Sequence, residues 1–233
     1  QCGPVTAITT RPWRPCSTPR QPTGHERRLE QADTEIDNLR AAFAWSRENS
    51  DNELASQLVS SLQPLWLVRG RIREGLAWFR SMLGDESLPS LQTAPAAYAR
   101  LLADKAVLDV WAGVPGSLEL AERALSIARP LDDPVLLARA LTACGFVAGN
   151  SDKPDLAQRY FAEGIPLARA SNDIWRLSAI LLWQAQAATL RFVGAEDLAP
   201  FRFGHPGDLF RSRDQLLRRW LCLPHRQHNL PRQ

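Results

Sequence analysis

The chain has 233 residues, of which 45% are hydrophobic and 23% are charged, close to the averages of soluble globular proteins. Its formal net charge of +3 is unevenly distributed, because residues 1–28 hold five Arg against one Glu and residues 200–233 hold seven Arg against two Asp. The body between these ends is therefore acidic, which disfavours a nucleic-acid surface, and its longest apolar stretch, 177–190, contains two Gln residues, which excludes a transmembrane helix.

The first 24 residues contain five prolines, and this composition predicts a disordered segment because proline removes backbone donors and breaks helices. Its Arg and Pro residues also exclude the apolar core of a signal peptide, so we expect a cytoplasmic protein with no membrane partner. From about Glu26, apolar residues recur at steps of three and four, the period of one helix face, and predict a helix that ends near Asn49. These apolar positions include Leu29, Ala32, Ile36, Leu39 and Phe43.

A small residue followed four positions later by a large apolar residue recurs three times along the body. In TPR-type helix pairs the small residue of the second helix allows close approach of the first helix, and the large residue fills the space one turn later. The three occurrences are Gly75 with Phe79, Ala121 with Leu125, and Ala157 with Phe161. The markers are 46 and 36 residues apart, so the predicted units are irregular in length.

Turn and helix-start signals fall between these markers. A glycine stands at the predicted turn of the first two units, Gly70 and Gly116, and the sequence GNSDKP occupies the turn of the third. Asp133 before Pro134 has the pattern of a helix N-cap with proline in the first helical position, and Pro95 and Pro154 repeat the proline signal.

A fourth unit begins with an apolar helix from Ile174 toward Phe192, but its second helix is not predicted. Ala199 and Phe203 keep the small-then-large spacing, whereas Pro200 and the glycines that follow disfavour a helix there. The remaining tail has one short helical candidate, Arg211–Leu221. The sequence therefore predicts an all-α fold, a TPR-like antiparallel helix-pair array or α-solenoid over 25–199, with a disordered Pro-rich segment over 1–24 and a basic, mostly disordered tail over 200–233.

Two segments of this array carry a family resemblance. IDNLRAAFAW, at 36–45, and LWLVRGRIREGLAWF, at 65–79, resemble the helical-repeat region of actinobacterial regulators that couple a STAND-type ATPase to a LuxR-type DNA-binding domain. Some of those regulators also carry an adenylate cyclase domain. The resemblance covers about residues 27–195 and implies a sensor or interaction array that lies between the ATPase module and the DNA-binding helix-turn-helix.

The sequence departs from that family in its chemistry. ATP-binding members have a Gly-rich loop that ends in Gly-Lys-Ser/Thr, whereas Lys105 and Lys153, the chain's two lysines, are each preceded by Asp. Nucleotide binding by that route is excluded, and neither a cyclase metal pair nor a recognition helix is identifiable. The Pro-rich start, the loss of the repeat pattern after 195 and the absence of an initiating Met suggest a fragment or the product of a disrupted reading frame.

The reactive side chains favour a non-catalytic protein without cofactor or metal. All four histidines lie toward the ends of the chain, which leaves the array without the commonest general base. Cys222, His225 and His228 could give three zinc ligands, but a structural site normally has four, so a solvated basic tail is favoured. The four cysteines follow no disulfide or metal-site spacing, and Cys144 lies in an apolar helical pattern typical of a small buried thiol. The tryptophans at helix positions, Trp45 and Trp183 among them, are interpreted as core.

The first helices of a stacked array line its concave surface, so partner-binding residues can be predicted from the repeat register. The inward positions that do not pack against the adjoining helix are Gln57, Ser60, Arg139, Thr142, Phe146, Gln184 and Arg191. This mixture suits an extended peptide or a partner helix, with Phe146 as the buried anchor and the two arginines pairing with acidic groups or a terminal carboxylate.

Two alternatives remain open at this point. The groove could be solvated here because its ligand is another domain of a longer ancestor. The chain could also be a nucleic-acid-associated regulator that binds phosphates weakly through its basic tails, with an affinity that falls steeply with salt. The partner and the oligomeric state are not predicted.

Overall fold

A computed structural model of the chain describes residues 24–84 and 94–192. Over these two ranges it consists of α-helices and one 3₁₀ helix and contains no strand, which confirms the all-α prediction for the described part. Neither range contains a helix whose length and hydrophobicity suffice to span a bilayer. The predictions made for the first 23 residues, for Ala199 and Phe203, for the helix at 211–221 and for the tail at 200–233 lie outside the described residues.

Ten α-helices follow one another with short connections in the described ranges. They are α1 Gly24–Thr34, α2 Ile36–Glu48, α3 Asn52–Ser61, α4 Gln63–Val68, α5 Ile72–Leu83, α6 Pro95–Trp111, α7 Ser117–Ala128, α8 Pro134–Gly149, α9 Pro154–Ala170 and α10 Ile174–Phe192. The 3₁₀ helix Arg129–Leu131 follows α7 directly.

The first predicted helix is interrupted in the structure, although its predicted end is confirmed within one residue. α1 and α2 are separated at Glu35, and the Thr34 hydroxyl donates a hydrogen bond of 2.9 Å to the carbonyl of Glu30. A side-chain hydroxyl that donates a hydrogen bond to a carbonyl one turn earlier often bends a helix, so this bond gives the break a local cause. A second break lies at Leu62, between α3 and α4, two residues before Pro64. Proline has no amide hydrogen to donate, and its ring clashes with the preceding turn of a continuous helix.

The turn and capping predictions are confirmed where the structure describes them. Gly70 and Gly116 adopt φ of 67° and 80°, a backbone region that favours glycine. The carboxylate of Asp133 accepts hydrogen bonds of 3.0 Å from the amides of Val135 and Leu136, so it caps α8 as the sequence predicts.

The small residues of the predicted second helices lie at close helix contacts. A Cβ on Gly75 in α5 would come within 2.7 Å of the Trp66 ring, so this helix approaches α4 only because the residue is glycine. Ala121 in α7 and Ala157 in α9 are fully buried, and the large residues of the three pairs, Phe79, Leu125 and Phe161, are buried as well. The small-then-large pattern therefore marks real contact positions in the described array.

Packing follows chain order in a repeating way. α6 contacts α7 and α8, and α8 contacts α9 and α10, so each of these two helices packs on the next helix and on the next but one. α3 likewise contacts α5 and α6. The helices α3 with α4, α6, α8 and α10 therefore form one contiguous layer, here called the first-helix layer, and α5, α7 and α9 pack beside it.

Candidate functional site

A group of charged and polar side chains lies inside the first-helix layer, around a cavity of about 30 Å³. That volume holds one or two water molecules and is far below the size of a site for an organic substrate. Its lining combines charged groups with aromatic ones: Asp104, Arg139, Thr142, Trp175, Arg176 and Trp183.

Asp104 of α6 and Arg139 of α8 form a salt bridge at this cavity. One terminal guanidinium nitrogen of Arg139 donates to both Asp104 oxygens, at 2.8 and 2.6 Å. The Asp104 side chain is 1% exposed and that of Arg139 is 21% exposed. A carboxylate this deeply buried is tolerated because a cation faces it, and the pair links two neighbouring first helices.

Arg176 in the first turn of α10 is the most deeply buried cation of the described residues. Its side chain is 9% exposed, and its Nε donates a hydrogen bond of 3.2 Å to one carboxylate oxygen of Asp173. The other oxygen of Asp173 accepts a hydrogen bond from the Arg176 backbone amide and so caps the start of α10. Within the described part of the chain, its two terminal nitrogens have no hydrogen-bond partner. Burial, and then repulsion by Arg139, lower the pKa of Arg176 to about 10.

The hydrogen bonding of this site is therefore incomplete, although its charges balance, with two arginines against two aspartates. Of the Arg176 guanidinium only Nε has a hydrogen-bond partner among the described residues, and the Arg176 side chain lines the cavity. A buried guanidinium normally satisfies several of its five donors. An anionic group that entered the cavity could accept hydrogen bonds from these donors, and hydrogen bonds between charged groups are stronger than those between neutral groups.

The predicted partner-binding residues have different fates in the structure. Gln57 is exposed and its amide donates 3.1 Å to Glu53, while Gln184 is partly exposed. Thr142 is buried and donates to the carbonyl of Ala138, and Ser60 is buried with a hydroxyl that has no hydrogen-bond partner among the described residues. The side chain of Arg191 lies outside the described residues. Partner binding by these residues stays a prediction.

For Phe146 the predicted placement is wrong. The repeat register predicts a ring that does not pack against the adjoining helix, but Phe146 is 2% exposed and packs between Trp111 and Trp183, at ring-centre distances of 5.8 and 4.2 Å. Because α10 covers this side of α8, the ring belongs to the core and a partner cannot reach it. The prediction of core tryptophans is confirmed for Trp183 and wrong for Trp45, which is 55% exposed.

Sequence reasoning missed Asp104, Asp173 and Arg176 as parts of one site. A signal was present, because Asp104, Arg139 and Arg176 are charged residues inside apolar helices, separated by one repeat length each. A charged residue at a core position needs a partner, so recurrence at that spacing could have suggested a polar cluster across adjacent units.

The remaining reactive groups offer no second centre in the described ranges. Cys144 is fully buried, and desolvation raises the pKa of its thiol to about 12, so it stays protonated as a structural thiol would. No three His, Cys, Asp or Glu side chains in these ranges lie together in a way that could hold a metal ion.

Known proteins similar to this chain are found in mycobacteria. One from Mycobacterium bovis and two from strains of Mycobacterium tuberculosis, each named provisionally as an HTH-type transcriptional regulator, are 49% identical over 165 residues. The match covers 69% of this chain and 18% of each relative, so the chain spans less than a fifth of their length. No protein-family model matches the sequence, and no solved structure matches it.

Proposed function

We propose that the described helices form a non-catalytic, TPR-like interaction module of a transcriptional regulator, and that this module binds an acidic group of a protein partner at Arg139 and Arg176. The observation that carries the proposal is the deeply buried Arg176 side chain, which lines a cavity in the first-helix layer and whose terminal nitrogens have no hydrogen-bond partner among the described residues. Retaining such a cation costs stability, and a ligand that satisfies it would offset that cost.

A recurring separation along the chain supports the TPR-like arrangement. Side chains of adjacent units bond across intervals of 34 to 38 residues: Arg40 with Glu74, Arg71 with Asp33, Arg139 with Asp104, Arg129 with Glu163, and Tyr160 with Glu122. A TPR unit has about 34 residues. The contacts between next-but-one helices agree with such stacking, in which successive first helices touch.

The regulatory part of the proposal is supported by the mycobacterial relatives, whose names describe HTH-type transcriptional regulators. The resemblance of residues 36–45 and 65–79 to LuxR-type ATPase regulators points to the same class and to a cytoplasmic setting. In such a protein the array would bind a protein or another domain, while separate modules bind nucleotide and DNA. Weak nucleic-acid binding through the basic tails stays a prediction, since both tails lie outside the described residues.

The recognition step follows from the geometry of the site. A partner's carboxylate would accept hydrogen bonds from the terminal nitrogens of Arg176, while Asp104 keeps Arg139 oriented beside it. Trp175 and Trp183 form the apolar wall and limit access of water. The neutral oxygen of an amide accepts a weaker hydrogen bond from a guanidinium than a carboxylate oxygen does, so we expect the site to favour Glu or Asp over Gln or Asn.

Selection from a random peptide library on the full chain tests this proposal. We expect the peptides recovered on the wild type to be enriched in Asp or Glu at one position, and the enrichment to disappear on Arg176→Gln. Arg159→Gln, a change of an exposed arginine on α9, is the matched control and should leave the enrichment intact. Arg176→Lys keeps the charge and should retain part of it. Equal enrichment on wild type and Arg176→Gln, with both folded, would contradict the proposal.

A further inference from the structure

Helices α8 and α10 have the same register, which allows their faces to be compared residue by residue. Asp133 caps α8 by accepting from the amide of Leu136, and Asp173 caps α10 by accepting from the amide of Arg176, so equivalent positions are 40 residues apart. The register holds further along, because Ala140 and its equivalent Ile180 are both fully buried.

The face of α8 that α9 covers is buried and closely packed. Leu141 is fully buried, and a Cβ on Gly164 of α9 would lie 3.4 Å from it. One turn later, a Cβ on Gly145 would overlap the Phe161 ring of α9. These contacts define how a second helix covers a first helix in this array.

The equivalent face of α10 is apolar and exposed among the described residues. Leu181, the equivalent of Leu141, is 46% exposed, and Ala185, the equivalent of Gly145, is exposed as well. Scattered exposed aliphatic side chains are ordinary, but Leu141 and Gly145 are both buried under α9, so Leu181 and Ala185 mark the part of α10 that a second helix would cover. The face, here called the α10 outer face, is therefore shaped for a helix.

We propose that Arg211–Leu221 of this same chain packs on the α10 outer face as the second helix of the fourth pair. Its apolar residues Leu217, Trp220 and Leu221 recur at helical spacing, as one face of an amphipathic helix requires. The eighteen residues 193–210 extend up to about 60 Å, about twice the 28 Å length of a 19-residue helix such as α10, so the segment reaches either end. This inference does not depend on the acidic partner.

The chemistry of the two surfaces selects this segment over the nearer one. Ala185 stands where α8 has Gly145, and its Cβ excludes an aromatic ring such as that of Phe161, so an aliphatic side chain fits opposite it. Leu217 supplies one, with Trp220 and Leu221 then opposite Leu181. In this antiparallel register Arg213 lies beside the last turn of α10, where a cation complements the helix dipole. The nearer segment around Ala199 is less suited, because Pro200 disfavours a helix and Phe203 would bring an aromatic ring where an aliphatic side chain fits.

Disulfide formation in the full chain tests the docking and its register. In a background with Cys2, Cys16 and Cys222 replaced by Ser, Ala185→Cys would be paired with Leu217→Cys, or with Arg219→Cys on the opposite side of the segment. A disulfide needs Cβ atoms about 4 Å apart. A docked helix would bring only the Leu217→Cys thiol that close to Ala185→Cys, whereas a freely moving segment would bring both thiols there equally often.

We expect an intrachain disulfide for the Leu217→Cys pair at a rate at least about tenfold above that of the Arg219→Cys pair. Equal rates for the two pairs would overturn the proposal. A disulfide formed between chains, with dimers in light scattering, would also overturn it, because a second copy would then be the occupant. A folded control with Leu181→Gln should lose the discrimination if the exposed aliphatic face is what holds the segment.

Discussion

The Asp104 side chain is nearly inaccessible and forms an ion pair with Arg139, so it is a direct test of how much one buried charge contributes to the stability of the array. We expect Asp104→Asn to lower the free energy of unfolding by about 3 kcal/mol, since the change leaves Arg139 without its counter-charge in a poorly hydrated place. Glu48→Gln changes an exposed carboxylate on α2 and should cost less than about 0.5 kcal/mol. Urea unfolding of both variants measures the difference, and equal midpoints would contradict the account of the buried pair.

We expect an added methyl group to have opposite effects at two glycines in helices. Gly145→Ala should destabilise the protein by about 1 to 3 kcal/mol, because its Cβ overlaps the Phe161 ring and overpacking outweighs the better helix propensity of alanine. Gly164→Ala places a Cβ at ordinary contact distances of 3.4 and 3.5 Å, so it should be neutral or slightly stabilising. Thermal melts of the two variants decide, and a Gly145→Ala variant as stable as the wild type would contradict the packing of α8 on α9.

The buried thiol of Cys144 connects one residue to the pH dependence of stability. Its pKa is raised by desolvation from 9.0 to about 12 in the folded chain, so the folded state holds the proton more tightly than the unfolded state. This contribution is present below pH 9 and is lost as the pH rises toward 12. We expect Cys144→Ala to lose less stability than the wild type between pH 9 and pH 11. Parallel slopes for both proteins in chemical unfolding would show that the thiol does not contribute.

At the scale of the helices, the predictions based on local chemistry are confirmed where they could be tested. The starts of α8 and α9, the turn glycines and the small residues at close contacts depend on neighbours a few positions away, which the sequence displays directly. The break at Glu35 depends on a side-chain hydrogen bond within α1, and the burial of Phe146 depends on α10 crossing α8. Periodicity gives the face of a helix but not which later helix covers it.

The caps of α8 and α10 provide a comparison between two equivalent helix starts. Asp133→Ala should cost about 1 kcal/mol, the usual value of an N-cap carboxylate. Asp173→Ala removes a cap and also the only described hydrogen-bond partner of the Arg176 side chain, so it should cost at least about 1 kcal/mol more. Chemical unfolding of the two variants measures this difference, and a smaller cost for Asp173→Ala would contradict the structural role assigned to Arg176.

For the whole molecule, the sequence predicted an all-helical array and could not predict its polar site. The site joins α6, α8 and α10 through Asp104, Arg139 and Arg176, and the markers Gly75, Ala121 and Ala157 are too irregularly spaced to align those helices in advance. These charged residues form one cluster only because the three helices stack side by side. That Arg176 is buried, with terminal nitrogens that have no hydrogen-bond partner among the described residues, can therefore be seen only in the three-dimensional structure.

The central claim is that this cluster binds a carboxylate, and nuclear magnetic resonance of the indole N–H signals of Trp175 and Trp183 measures it most directly. Both rings line the cavity, so they report on whatever enters it. We expect acetate, at constant ionic strength, to shift these two signals saturably in the wild type and in Arg159→Gln, and acetamide to leave them in place. The same titration of folded Arg176→Gln should give no saturable shift. If acetamide acts like acetate, or if Arg176→Gln responds as the wild type does, the site does not recognise a carboxylate and the account is wrong.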